Sequence, residues 1–134
     1  REVNDSKPEW VIEKVKLAVA EHLQANPDKT AKEVTVACFG LAFKPDIDDL
    51  RESPAVVITN RIAHEHPGRV FAVEPNISAL PSAIGEQVEF KSIEEALNEA
   101  TIVLLLVDHK VFKELDSSRF GAVTLIDTRG VWEK

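Results

Sequence analysis

A chain of 134 residues, 44% hydrophobic and 29% charged, can bury one core and is too apolar to be disordered. Its formal net charge of −7 argues against nucleic-acid binding, which runs on clustered Lys and Arg. Its longest apolar run, Ile102 to Val107, is far too short to span a bilayer, so no membrane partner is expected.

A single cysteine, Cys38, excludes an internal disulfide and suits a reducing compartment, so a cytoplasmic location is expected. The chain contains no methionine and opens at Arg1 with charged residues rather than a signal peptide. A piece of a longer protein is therefore expected.

In chain order, Ser6 and Glu9 have the spacing of a capping box. Behind them Ile12, Val15, Val19 and Leu23 recur at threes and fours, predicting a helix that ends near Asn26-Pro27. Val34 to Phe39 is a β-branched-rich apolar run and a predicted buried strand. The loop from Gly40 to Glu52 is about twice as long as the roughly two to six residues usual between a strand and a helix. Ser53-Pro54 supplies an N-cap and a first-turn proline for a helix reaching about His66.

Val70 to Val73 is the next strand, stopped by Pro75, and Val88 to Phe90 is a short one. Ser92 and Glu95 form a second capping box, opening a helix with Ile93, Ala96, Leu97 and Ala100 inward. Ile102 to Val107 has the continuous apolar character of a strand covered on both faces. A short helix around Val111, Phe112 and Leu115 leads to a last strand, Val123 to Ile126. This alternation predicts an α/β fold: a Rossmann-like open parallel sheet with helices on both faces, preceded by an N-terminal helix.

Ligands of such sheets collect beyond the carboxyl ends of the strands, which directs attention to the segments after Phe39, Val107 and Ile126. Lys44 and Arg51 lie in the first, upstream of a helix N-terminus that favours anions. Residue types alone leave two readings open: the pair meets a phosphate, or it is solvated and paired with Asp46, Asp48, Asp49 or Glu52. Arg129 is equally balanced between ligand contact and surface.

The loop is neither a dinucleotide fingerprint, since Ala42 and Pro45 replace the later glycines, nor a P-loop. Glu74 reads as a solvated strand-end carboxylate, with a ribose hydroxyl as the alternative. His109 reads as a residue opening the short helix, capped by Asp108. The acids of the loop do not have the spacing of an EF-hand, and His64 and His66 point to different faces of a helix, so no metal site is expected. Both histidines are expected at the surface. Cys38 reads as a buried hydrophobe, and no complete catalytic set occurs.

The segment Phe39-Gly-Leu-Ala-Phe-Lys-Pro-Asp-Ile-Asp-Asp-Leu-Arg-Glu-Ser-Pro-Ala55 resembles the signature of the C-terminal domain of the UDP-glucose/GDP-mannose dehydrogenase family. Val3-Asn4-Asp5, Asp108-His109 and Asp127-Thr128-Arg129-Gly130 extend the resemblance along the chain. It implies an NAD-dependent oxidoreductase in which this chain supplies no catalytic residue and is inactive alone. An N-terminal domain would bind NAD, and a central domain would carry the catalytic cysteine and form a homodimer.

Residues 1–27 would then be the linker helix from that central domain, and residues 28–134 the nucleotide-sugar-binding domain. The resemblance assigns Phe43, Lys44 and Arg129 to a UDP-N-acetylhexosamine substrate, Arg129 usually acting from the neighbouring subunit. It assigns Arg51 to NAD. Other UDP-sugars, a free-standing nucleotide-binding module and a receiver-like domain are the alternatives. The last has paired acids directly after its first strand, where Gly40-Leu41-Ala42-Phe43-Lys44 stands here.

Overall fold

A computed structural model describes residues 2–42, 53–115, 118, 120, 121 and 123–128. In chain order these form α1 (Glu2–Ala25), a 3-10 turn (Ala31–Glu33), β1 (Val36–Phe39), α2 (Pro54–Glu65), β2 (Val70–Val73), β3 (Val88–Phe90), α3 (Ile93–Glu99), β4 (Ile102–Leu105), α4 (Lys110–Lys113) and β5 (Thr124–Asp127). The strands make one sheet in the order β3-β2-β1-β4-β5, and every pairing is parallel. The order reverses at β1, which lies between β2 and β4. That is the switch point beyond which such sheets hold ligands.

The side-chain alternation of the three inner strands builds two cores. Val36, Cys38, Val70, Ala72, Ile102 and Leu104 face one way, where Val11, Ile12 and Val15 of α1 and Ile58 and Ile62 of α2 cover them. Ala37, Phe39, Phe71, Val73, Val103 and Leu105 face the other way, against Ala96 of α3 and Phe112 of α4. The predicted open parallel sheet with helices on both faces is the observed fold. Helix α1 belongs to the first core, since Val11, Ile12 and Val15 are all buried.

Local signals explain the element boundaries. Ser53 Oγ accepts from the Ala55 N–H at 3.1 Å, with Pro54 as the first helical residue. The box at α3 closes reciprocally: Glu95 N–H donates to Ser92 Oγ at 3.1 Å, and Ser92 N–H to Glu95 Oε1 at 3.0 Å. The box expected at Ser6 is not the start of α1, which begins at Glu2 and carries Pro8 inside it. Once the helix continues upstream, main-chain carbonyls serve the N–H groups that a cap would have satisfied. Strand β1 begins at Val36 rather than Val34, β4 ends at Leu105, and β5 is displaced one residue towards the C-terminus. Pairing partners set these limits, which periodicity does not see.

Gly40 makes the switch point possible. Its φ is +102°, and a Cβ there would lie 2.6 Å from Val107 Cβ and 2.9 Å from Val107 N. The chain passes this close because Gly40 N–H donates to Val73 O at 2.8 Å while Phe39 O accepts from Leu106 N–H at 2.9 Å. Gly40→Ala is therefore expected to cost at least about 2 kcal/mol, from the left-handed backbone and the clash together. A urea titration showing an unchanged midpoint would contradict this account of the junction.

Candidate functional site

The carboxyl ends of β1, β2 and β4 converge on one buried carboxylate. Glu74 directly follows β2 and is 1% exposed. Its Oε1 accepts from the N–H groups of Leu41 at 2.8 Å and Ala42 at 3.1 Å, the second and third residues beyond β1. The same oxygen lies 2.9 Å from His109 Nε2. Its Oε2 accepts from the backbone and side-chain N–H groups of Asn76, both at 3.0 Å.

His109 is fully buried, and Asn76 Nδ2 lies 3.4 Å from its Nδ1. With the proton on Nε2, the ring donates to Glu74 and accepts from Asn76, so one tautomer serves both contacts. Phe112 packs against the same ring, with centroids 5.3 Å apart, and against Phe39 at 5.1 Å.

Burial by itself would push the Glu74 carboxyl up. The hydrogen bonds from His109, Leu41 and Asn76 outweigh that and hold it below the ordinary 4.5. A folded-state value below the unfolded one means that the charged carboxylate stabilises the fold fully above about pH 4.5. That stabilisation is lost as pH falls through the depressed value. Denaturation midpoints of the parent and a Glu74→Gln variant should therefore converge between about pH 6 and about pH 3. A constant gap across that range would show that the carboxylate charge contributes nothing.

Three sequence expectations change here. Glu74 is not a solvated strand-end acid, because the amides beyond β1 and the β4–α4 connection enclose it. It is also unsuited to a ribose hydroxyl, since both its oxygens are occupied by the chain's own donors. His109, rather than Asp108, occupies the N-cap position of α4, and its ring turns into the core instead of capping. His66 is half-buried, with Nε2 2.6 Å from Val34 O, whereas His64 is exposed as expected. Cys38 is fully buried, and burial pushes its thiol up to about 12, the state of an inert core residue.

Phe43, Lys44, Arg51 and Arg129 lie outside the described residues. Their neighbours show where the chain leaves and rejoins the sheet. Leu41 and Ala42 are buried at the rim beyond β1, Ser53 is buried at the start of α2, and Thr128 closes β5 with its hydroxyl donating to Leu105 O at 2.6 Å. Dinucleotide domains present free amides after the first strand to the pyrophosphate. In this chain an internal carboxylate fills that role, so the described residues do not make a dinucleotide cradle.

A cavity of about 680 Å³ has Ile77, Phe90, Val111 and Leu115 in its lining, and among the described residues Lys91 is its one cation, against Glu74, Glu94 and Glu95. That charge balance does not suit a diphosphate. Among the described residues no cluster of His, Cys, Asp and Glu could hold a metal ion, and no helix is long and apolar enough to cross a membrane.

A family model described as the UDP binding domain of the UDP-glucose/GDP-mannose dehydrogenase family matches residues 37–134. The chain belongs to this family. A UDP-N-acetyl-D-mannosamine dehydrogenase of Yersinia pestis is 51% identical over 132 residues, covering 98% of this chain and 31% of that protein. An NDP-N-acetyl-D-galactosaminuronic acid dehydrogenase of Ralstonia solanacearum is 47% identical, covering 98% of this chain and 29% of that protein. Among solved structures, the UDP-N-acetyl-mannosamine dehydrogenase of Staphylococcus aureus superposes with a TM-score of 0.72 at 30% identity, covering 100% of this chain and 29% of that one.

The chain thus spans about a third of the length of these dehydrogenases. The matched span opens one residue into β1 and takes in β2 to β5 and the Glu74 hub, and α1 precedes it. The hub is illegible in sequence because its hydrogen bonds join residues as much as 35 positions apart. The one available hint was a carboxylate closing a fully apolar strand.

Proposed function

We propose that this chain is the nucleotide-sugar-binding domain of an NAD-dependent UDP-N-acetyl-D-mannosamine 6-dehydrogenase. The observation that carries this reading is 51% identity, along nearly the whole chain, to a UDP-N-acetyl-D-mannosamine dehydrogenase. The complete enzyme would convert the C6 hydroxymethyl group of UDP-N-acetylmannosamine to the carboxylate of UDP-N-acetylmannosaminuronate. Two NAD and one water would be consumed, and two NADH and three protons released. The uronate-bearing nucleotide would feed surface polysaccharide biosynthesis in the cytoplasm.

NAD supplies the hydride acceptor and would be held mainly by a separate domain. In this chain, Phe43, Lys44 and Arg129 would contact the nucleotide-sugar, with Arg129 reaching the partner subunit's site in a homodimer. Arg51 would contact NAD. Cations suit this work because a diphosphate sheltered from water gains from charge-assisted hydrogen bonds. Residues 1–27 would join the domain to a preceding central one, and residues 28–134 would form the binding domain itself.

Purified alone, the chain is expected neither to reduce NAD nor to oxidise any sugar. The complete reading frame should form NADH with UDP-N-acetylmannosamine in preference to UDP-N-acetylglucosamine, UDP-N-acetylgalactosamine and UDP-glucose. Preference for another sugar would reassign the substrate, and the galactosaminuronate dehydrogenase relative makes that the second reading. No NADH with any of them would overturn the dehydrogenase assignment.

A further inference from the structure

We infer that Glu74 is a positioning residue for nucleotide-sugar binding: with His109 and Asn76 behind it, it anchors the point where the chain leaves β1 for Phe43 and Lys44. This rests on the assignment of Lys44 to the nucleotide-sugar made above. The geometry is specific. One oxygen of Glu74 holds two successive amides, Leu41 and Ala42, at 2.8 and 3.1 Å, which fixes the orientation of both peptide planes. The carboxylate is itself held from behind by His109 Nε2 at 2.9 Å and by both N–H groups of Asn76 at 3.0 Å.

Gly40 gives the chain its turn, and its own N–H is tied to Val73 O at 2.8 Å. Three consecutive amides are therefore bound to the end of β2 before the segment assigned to the substrate begins. A structural carboxylate could stabilise the fold from many places. This one is spent on the two residues next to Phe43 and Lys44. A substrate-binding segment whose entry is fixed has less freedom left to lose on meeting a diphosphate than one that enters freely.

The test uses the full-length dehydrogenase with UDP-N-acetylmannosamine as substrate. Glu74→Gln keeps the shape but turns an acceptor into an N–H donor facing other donors. It is expected to raise the KM for the nucleotide-sugar about tenfold while lowering kcat less than about threefold. Because Glu74 acts through the residues it anchors, its substitution should cost less than about threefold in a Lys44→Ala background. Equal fold-changes in both backgrounds would make Glu74 merely structural and overturn the inference.

Asn76→Ala, at an exposed position that leaves the core intact, gives the same reading if Glu74→Gln does not fold. It should raise KM about threefold, and less when Lys44 is absent. A KM unaffected by either change while Lys44→Ala raises it would sink the positioning role alone. A KM unaffected by Lys44→Ala would sink the functional assignment instead.

Discussion

Glu74→Leu is expected to destabilise the chain by about 3–5 kcal/mol, read as a fall in the urea midpoint at neutral pH. The substitution looks mild by hydrophobicity, since it places an apolar side chain in a buried pocket. It is severe because of what surrounds that pocket. Two loop amides, both N–H groups of Asn76 and the His109 ring all point at the carboxylate. Leucine leaves these donors facing a group that accepts nothing, and the Leu41 and Ala42 amides are buried away from water. Glu74→Gln should cost less, because one oxygen remains to accept. Should Glu74→Leu prove as stable as the parent, the buried hub would be dispensable and the description of the switch point wrong.

Phe112→Ala is the second large effect, also about 3–5 kcal/mol, measured in the same way. Helix α4 has only four residues, too few to hold itself together by main-chain hydrogen bonds. It is fixed by Phe112, fully buried between Phe39 at the end of β1 and the ring of His109. Truncation would open a cavity at the end of β1 and release the ring that steadies Glu74. The loss should therefore not add to that of Glu74→Leu: the double variant should cost less than the sum of the two. Strict additivity would separate α4 from the hub.

Neither effect was visible before the fold. The sequence showed Phe112 as one of three apolar residues of a short helix and His109 as the residue opening it. It gave no sign that both lean on Glu74. The reason is distance along the chain. Hydrogen bonds between residues 33 and 35 positions apart leave no periodic trace, whereas a helix face or a capping box is written within four residues.

By itself, the order of residues determined the alternation of strands and helices, the caps at Ser53 and Ser92, the inward residues of α3, and the family through its 17-residue signature. These rest on contacts between near neighbours or on a contiguous motif. Only the tertiary structure decided the strand order that places the switch point at β1, and the inclusion of α1 in the core. It also gave Glu74 to the loop amides instead of a ligand. A buried carboxylate takes whatever donors surround it, and only the closed sheet says which donors those are.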